Sequence, residues 1–300
     1  MHFFLTMYSR RSFLHLSGTA LAAAAFPLQS FACLAASPRA RQLSVQLYSI
    51  RDDMAKDPAG AVRALAQMGY TAVEGYGQQE GKMFGMSIVD FSKLLKDNGL
   101  KMPSSHFNLK LQDWDEQKKD LRDDLKSRID LAAASGQHYL VNPWMESKDR
   151  DSIQQWIPLL NAAATYVHKA GMRFGYHNHD FEFTKKGPDN RLLIEWLLHE
   201  VDPAHMTMEM DLYWVCYAGH NPLDWFRLYP GRWELCHVKD MAKTERRETV
   251  EVGDGSLDFA AIFKQSQQAG LRQYVIELEH YKTTALEGVK RARQNFLKIK

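Results

Sequence analysis

Short runs of β-branched and aromatic residues alternate with longer amphipathic stretches along the chain. Alternation with a period of two marks strands, and a recurrence near 3.6 marks helices. The strands read from this pattern are 43–49, 72–76, 102–107, 139–143, 173–178, 206–211, 234–238 and 274–278. Helices are predicted between them over 58–68, 91–98, 118–134, 153–170, 192–199, 223–229 and 259–269, with a last one over 285–299. Glycines at 69, 99, 171 and 270 stand where four of these helices should stop. Eight strands, each followed by a helix, predict an α/β fold of the (β/α)8 barrel type in one domain. No glycine-rich dinucleotide fingerprint follows the first strand.

The N-terminus does not fit that rhythm. Ser9-Arg10-Arg11-Ser12-Phe13-Leu14 is a twin-arginine pattern ahead of an apolar, alanine-rich run, and small residues follow it. Residues 1–36 are therefore expected to be a signal peptide and residues 37–300 the barrel, giving an exported, periplasmic protein. The apolar run falls short of the ~20 residues that span a bilayer, so no integral membrane segment is expected once the leader is removed. A lipid anchor on Cys33 is disfavoured by the bulky Phe31.

Composition narrows the partners. Of 38 Lys and Arg, Arg10 and Arg11 leave with the leader, so the remainder equals the 36 Asp and Glu. A formally neutral mature chain argues against nucleic acid and points to a small-molecule substrate. Cys216 and Cys236 remain, too few for a disulfide framework.

In such a barrel, polar residues at the C-terminal ends of strands read as function. Strand 2 ends in Glu74-Gly75-Tyr76, strand 3 in His106-Phe107-Asn108, and strand 4 in Asn142-Pro143-Trp144. Strand 5 runs through His177-Asn178-His179-Asp180-Phe181-Glu182, and strand 6 ends Glu209-Met210-Asp211-Leu212-Tyr213-Trp214. Strand 7 gives His237-Val238-Lys239-Asp240, and strand 8 gives Glu277-Leu278-Glu279. One His or carboxylate from each of strands 5 to 8 can meet around a divalent cation: His177 or His179, Glu209 or Asp211, His237, and Glu277 or Glu279. A mixed N/O shell suits Mn²⁺, Co²⁺, Zn²⁺ or Mg²⁺.

The series HNHDFEF, MDLYWV, HVKDM, GDGSLDF and VIELE resembles the xylose isomerase-like TIM-barrel family of sugar isomerases and epimerases, in order and in spacing. That resemblance implies a metal held from strands 5 to 8, usually by Glu, Asp, His and Glu. Asp211, His237 and Glu277 match the last three, and His177 takes the place of the first. Members with a His-rich strand 5 include keto-inositol dehydratases, and others cleave 3-keto-glycosides. The implied chemistry is metal-assisted proton abstraction beside a carbonyl of a sugar or keto-sugar, ending in isomerisation, epimerisation or elimination. His179, Glu182, Glu279 and His106 are the candidate acids and bases. Glu74, Lys239, Trp214 and Trp144 are expected to touch substrate, and Tyr48, Tyr76 and Tyr213 suit the wall for a sugar ring. The alternatives are a catalytically silent sugar-binding barrel and a phosphodiesterase like endonuclease IV. The second would require more metal-binding histidines and a basic groove.

Overall fold

The computed structural model describes residues 42–299. The expected leader, its cleavage point and Cys33 lie outside the described residues. Eight parallel strands close a barrel: β1 (Gln42–Gln46), β2 (Ala72–Gly75), β3 (Lys101–His106), β4 (Tyr139–Asn142), β5 (Arg173–His177), β6 (Met206–Asp211), β7 (Leu235–Val238) and β8 (Gln273–Ile276). Each strand pairs with its sequence neighbours, and β8 returns to β1. Strands enclosed on both faces explain the near-continuous apolar runs of the sequence.

The main helices are α1 (Pro58–Gln67), α2 (Ile88–Asp97), α3 (Asp123–Ala134), α4 (Ile153–Lys169), α5 (Leu193–Glu200), α6 (Pro222–Leu228), α7 (Phe259–Lys264) and α8 (Ala285–Phe296). Their apolar stripes bury Phe91, Trp156, Leu160, Phe226 and Val289 against the strands. The four stop glycines all lie in the left-handed region, at φ 84°, 75°, 84° and 90°. Among the described residues no helix is long and apolar enough to cross a membrane.

Several expected bounds need correction: the first strand ends at Gln46, where a 3-10 turn Leu47–Ile50 begins, and the helix expected over 259–269 is broken into Phe259–Lys264 and Ser266–Ala269. The helix predicted from 118 starts at Asp123, because Trp114–Asp115 and Asp120–Leu121 pair as a short hairpin first. The helix predicted from 91 starts at Ile88, where the Ser87 hydroxyl accepts from Asp90 N at 3.1 Å. Strand 8 stops at Ile276, so Glu277 and Glu279 follow the strand instead of ending it.

Candidate metal centre

Register decides which side chains meet. Glu209 lies opposite His177, and Asp211 opposite His237, across neighbouring strands. Glu74 lies opposite Gln46 on one side and Ser104 on the other. Side chains two residues apart on a strand share a face but differ in depth. The polar interior is accordingly built in two tiers.

The lower tier is a sealed floor of carboxylates. Glu74 and Glu209 are completely buried. Glu74 accepts from Gln46 Nε2 at 2.8 Å and Ser104 Oγ at 2.5 Å, and it meets His237 Nε2 at 2.7 Å. Glu209 Oε2 lies 3.0 Å from His106 Nε2, 3.0 Å from His177 Nδ1 and 3.2 Å from His237 Nε2. Burial opposes charge on both carboxyls. Nearby imidazoles outweigh it, holding Glu74 below the usual range and bringing Glu209 down to about 2. The same contacts overcome burial at His106 and lift it to about 9, chiefly through Glu74.

The upper tier faces a pocket of about 390 Å³ whose wall includes His106, Trp144, His177, His179, Glu277 and Glu279. Ligand atoms of Asp211, His237 and Glu277 lie within 4.8 Å of one another. His237 Nδ1 is 2.9 Å from Glu277 Oε2, and His177 Nε2 is 3.9 Å from Asp211 Oδ2. Atoms bound to one ion stand at most ~4.4 Å apart, twice a metal–ligand bond, so small side-chain shifts bring this group into range. Asp211 Oδ1 caps the helix Leu212–Tyr217 through Trp214 N, while its Oδ2 is buried with no hydrogen-bond partner. Burial pushes the Asp211 carboxyl up. That oxygen has the Lys239 ammonium at 3.7 Å and His177 Nε2 at 3.9 Å but no hydrogen bond, so it keeps lone pairs that a divalent cation could engage. Asp211, His237 and Glu277 therefore form a group that could hold a divalent metal, with His177 Nε2 beside it, 3.9 Å from Asp211 Oδ2. The floor supports this division, since each imidazole directs one nitrogen down to a carboxylate and keeps the other for the upper tier. His106, His177, Glu209 and His237 also approach one another within 4.8 Å. That group shares His237 with the upper one, and its Glu209 Oε2 is already engaged by all three imidazoles.

Several predicted site residues have other places. Glu74 belongs to the floor and cannot reach substrate, because both its oxygens are engaged and it is sealed from solvent. Lys239, expected at the substrate, is 1% exposed. Its ammonium sits 3.2 Å from Glu277 and 3.7 Å from Asp211 and is bonded to Glu279, so it balances the carboxylates from behind the wall. Glu182 is not at the pocket either. It is completely buried, accepting from Tyr176 Oη at 2.7 Å and His179 N at 2.8 Å, and so fixes the segment carrying His179. Burial pushes its carboxyl up to about 8.

Trp214 packs beside His179 with ring centres 5.5 Å apart and supports it, without lining the pocket. Trp144, Tyr48 and Tyr76 do line it, whereas Tyr213 donates to Arg247 O at 2.9 Å. His179 is neutral: burial, then Lys239, lowers it to about 3. The residue the sequence leaves as a mere alternative is Glu209. Its alternation with Asp211 was the available signal, and both carboxylates are used, one per tier.

Residues 62–299 match the family of xylose isomerase-like TIM barrels. An inosose dehydratase from Clostridium botulinum (strain Alaska E43 / Type E3) is 24% identical over 233 residues, 67% of this chain and 76% of that protein. A sugar phosphate isomerase/epimerase from Parabacteroides distasonis ATCC 8503 superposes with a TM-score of 0.75 at 28% identity, covering 88% of this chain and 97% of its own. A second structure from that organism, also a sugar phosphate isomerase/epimerase, gives 0.73 at 26% identity over 87% and 100%.

Proposed function

The chain belongs to the xylose isomerase-like TIM-barrel family, and from that premise we propose that it is a metal-dependent enzyme that abstracts a proton beside the carbonyl of a keto-sugar, with elimination of a carbon–oxygen bond as the outcome. The observation that carries this is the upper tier, where His177, Asp211, His237 and Glu277 converge beneath a pocket of sugar size. A divalent ion bound there supplies Lewis-acid polarisation of the carbonyl.

The chain's own groups supply the rest. His179 stands on the pocket wall above the metal group and takes the α-proton. The electron pair of that C–H bond moves toward the carbonyl and then expels the β-substituent with its C–O pair. His106, held protonated by Glu74 and Glu209, gives its proton to the departing oxygen. Tyr48, Tyr76 and Trp144 offer faces against which a sugar ring packs and excludes water.

Elimination is favoured over epimerisation by His177. The family resemblance implies a strand-5 glutamate paired with that of strand 8, and strand 5 presents an imidazole instead. The dehydratase relative supports the same branch. Isomerisation is the second reading, favoured by the two Parabacteroides structures.

The test is proton exchange in D2O. The protein loaded with Mn²⁺ or Co²⁺ should exchange the α-proton of a 3-keto-hexoside, and an unsaturated product should follow. His179→Ala should keep its metal and lose exchange by about 10²-fold or more. No exchange with any keto-sugar tried would count against the reading, as would full exchange in His179→Ala.

A further inference from the structure

The pocket above the metal centre does not end at His106. Gly77, His106 and Asn108 also line a second cavity of about 360 Å³, adjoining the first. Its other walls come from segments after β2 and β3 and from α3, and they include Gln78, Lys110, Gln112 and Arg128. Each of the two connecting segments folds into a short hairpin, Lys82–Met83 with Met86–Ser87 and Trp114–Asp115 with Asp120–Leu121, that builds up this side of the barrel mouth.

The lining chemistry is specific. Gln78 is 4% exposed and donates its Nε2 to Arg128 O at 3.2 Å, but its Oε1 has no partner. Arg128 Nε is also buried and unpartnered, with the guanidinium 4.4 Å over the Phe107 ring. Buried polar groups are normally matched, and these two are not, so a small shift of either side chain would let a hydroxyl or a water in the cavity complete it. Charge decides which ligand. Lys110 and Arg128 are offset by Glu80, Asp113 and Asp124, so the cavity holds no surplus of positive charge for a phosphate. Gln78, Asn108 and Gln112 instead offer amides, the groups that read hydroxyls of an uncharged polyol.

We propose that this second cavity is a subsite for a neutral second sugar ring, which makes the substrate a two-ring glycoside. The inference rests on the keto-sugar reading above. The keto ring occupies the pocket over the metal centre, and the linking oxygen passes His106, which with Asn108 is a side chain common to both cavities. Breaking that link needs a proton on the departing oxygen, and His106 stands where it gives one.

The test uses unoxidised sugars, which bind without reacting, on the protein as isolated with its metal. Methyl glucoside, glucose 6-phosphate and a panel of cellobiose, maltose and sucrose are titrated calorimetrically. At least one disaccharide should bind about tenfold or more tighter than methyl glucoside, a difference of ~1.4 kcal/mol. Gln112→Trp, which fills the cavity from an exposed position, should erase that advantage and leave methyl glucoside as before. Gln78→Leu, lacking the unmatched acceptor, should reduce it. Equal affinity for one and two rings would overturn the proposal, as would tightest binding of glucose 6-phosphate, binding of none, or equal weakening of both sugars by Gln112→Trp. Proton exchange on a keto-monosaccharide keeps the two readings apart. Exchange without disaccharide preference removes the subsite alone, and disaccharide preference without exchange removes the chemistry alone.

Discussion

A single oxygen of Glu209 meets three imidazoles, and this sets what the histidines above it can do. With a proton shared toward Glu209, His177 Nδ1 is occupied and its Nε2 is left for a metal. The Glu74 contact does the same for His237 Nε2, so Nδ1 is the nitrogen that faces Glu277 in the upper tier. Carboxylates that orient metal-binding histidines typically contribute 10–100-fold in affinity. Glu209→Gln should therefore weaken Mn²⁺ binding by about 10–100-fold while Asp211, His237 and Glu277 remain in place. Unaltered affinity in a titration of the folded variant would show that the floor does not act on the ion.

Glu182 gives a second residue-scale prediction, with a definite sign. Its folded pKa is raised to about 8 by burial, above the ordinary 4.5. Its contribution to stability is complete below the unfolded value and is lost as pH climbs through about 8. Wild type should lose stability relative to Glu182→Gln between pH 5 and pH 9 in urea melts. A gap that stayed constant over that range would contradict the buried, neutral acid.

At the scale of elements, the connection after β7 is held by one side chain. Asp240 accepts from Met241 N at 2.8 Å, Gly253 N and Gly255 N at 2.9 Å each, and Leu257 N at 3.1 Å. It thus ties the GDGSLDF segment to the strand end that carries His237 and Lys239. Asp240→Ala leaves four N–H groups without that acceptor and should cost about 2–4 kcal/mol. For a domain of this size the melting temperature should fall by about 5–12 °C. A drop of less than about 2 °C would deny it that role. Gly255 is required for the same reason, since a Cβ there would lie 2.2 Å from Asp240 Oδ1.

Much of this element order is written in the chain, for a physical reason. Closed parallel strands are apolar on both faces, and left-handed glycines end the helices that separate them. Depth is not written there. Alternation places Glu209 and Asp211 on one face, but only the contacts separate them: Glu209 Oε2 meets three imidazoles, whereas Asp211 Oδ2 has no hydrogen-bond partner. Glu74 and Lys239 look like substrate contacts for the same reason, because position along a strand does not reveal what barrel closure covers. Glu182 misleads differently. It shares a dense polar run with His177 and His179, yet turns inward to Tyr176.

At the scale of the whole molecule, the barrel supplies a rigid frame. Its connecting segments supply a mouth with two adjoining cavities, one above the candidate metal group and one beyond His106. The twin-arginine reading of residues 1–36 carries its own prediction. Replacing Arg10 and Arg11 together by lysine should hold the precursor in the cytoplasm, and fractionation showing undiminished export would contradict it.

Everything proposed about chemistry depends on His177, Asp211, His237 and Glu277 holding one ion. Metal stoichiometry, measured by elemental analysis of the purified chain after loading and dialysis, tests this most directly. The account predicts one divalent ion per chain in wild type and near-zero retention in Asp211→Asn and His237→Ala, with His179→Ala still loaded. A wild-type chain that retains no divalent ion, or folded Asp211→Asn and His237→Ala variants that retain it in full, would contradict the account.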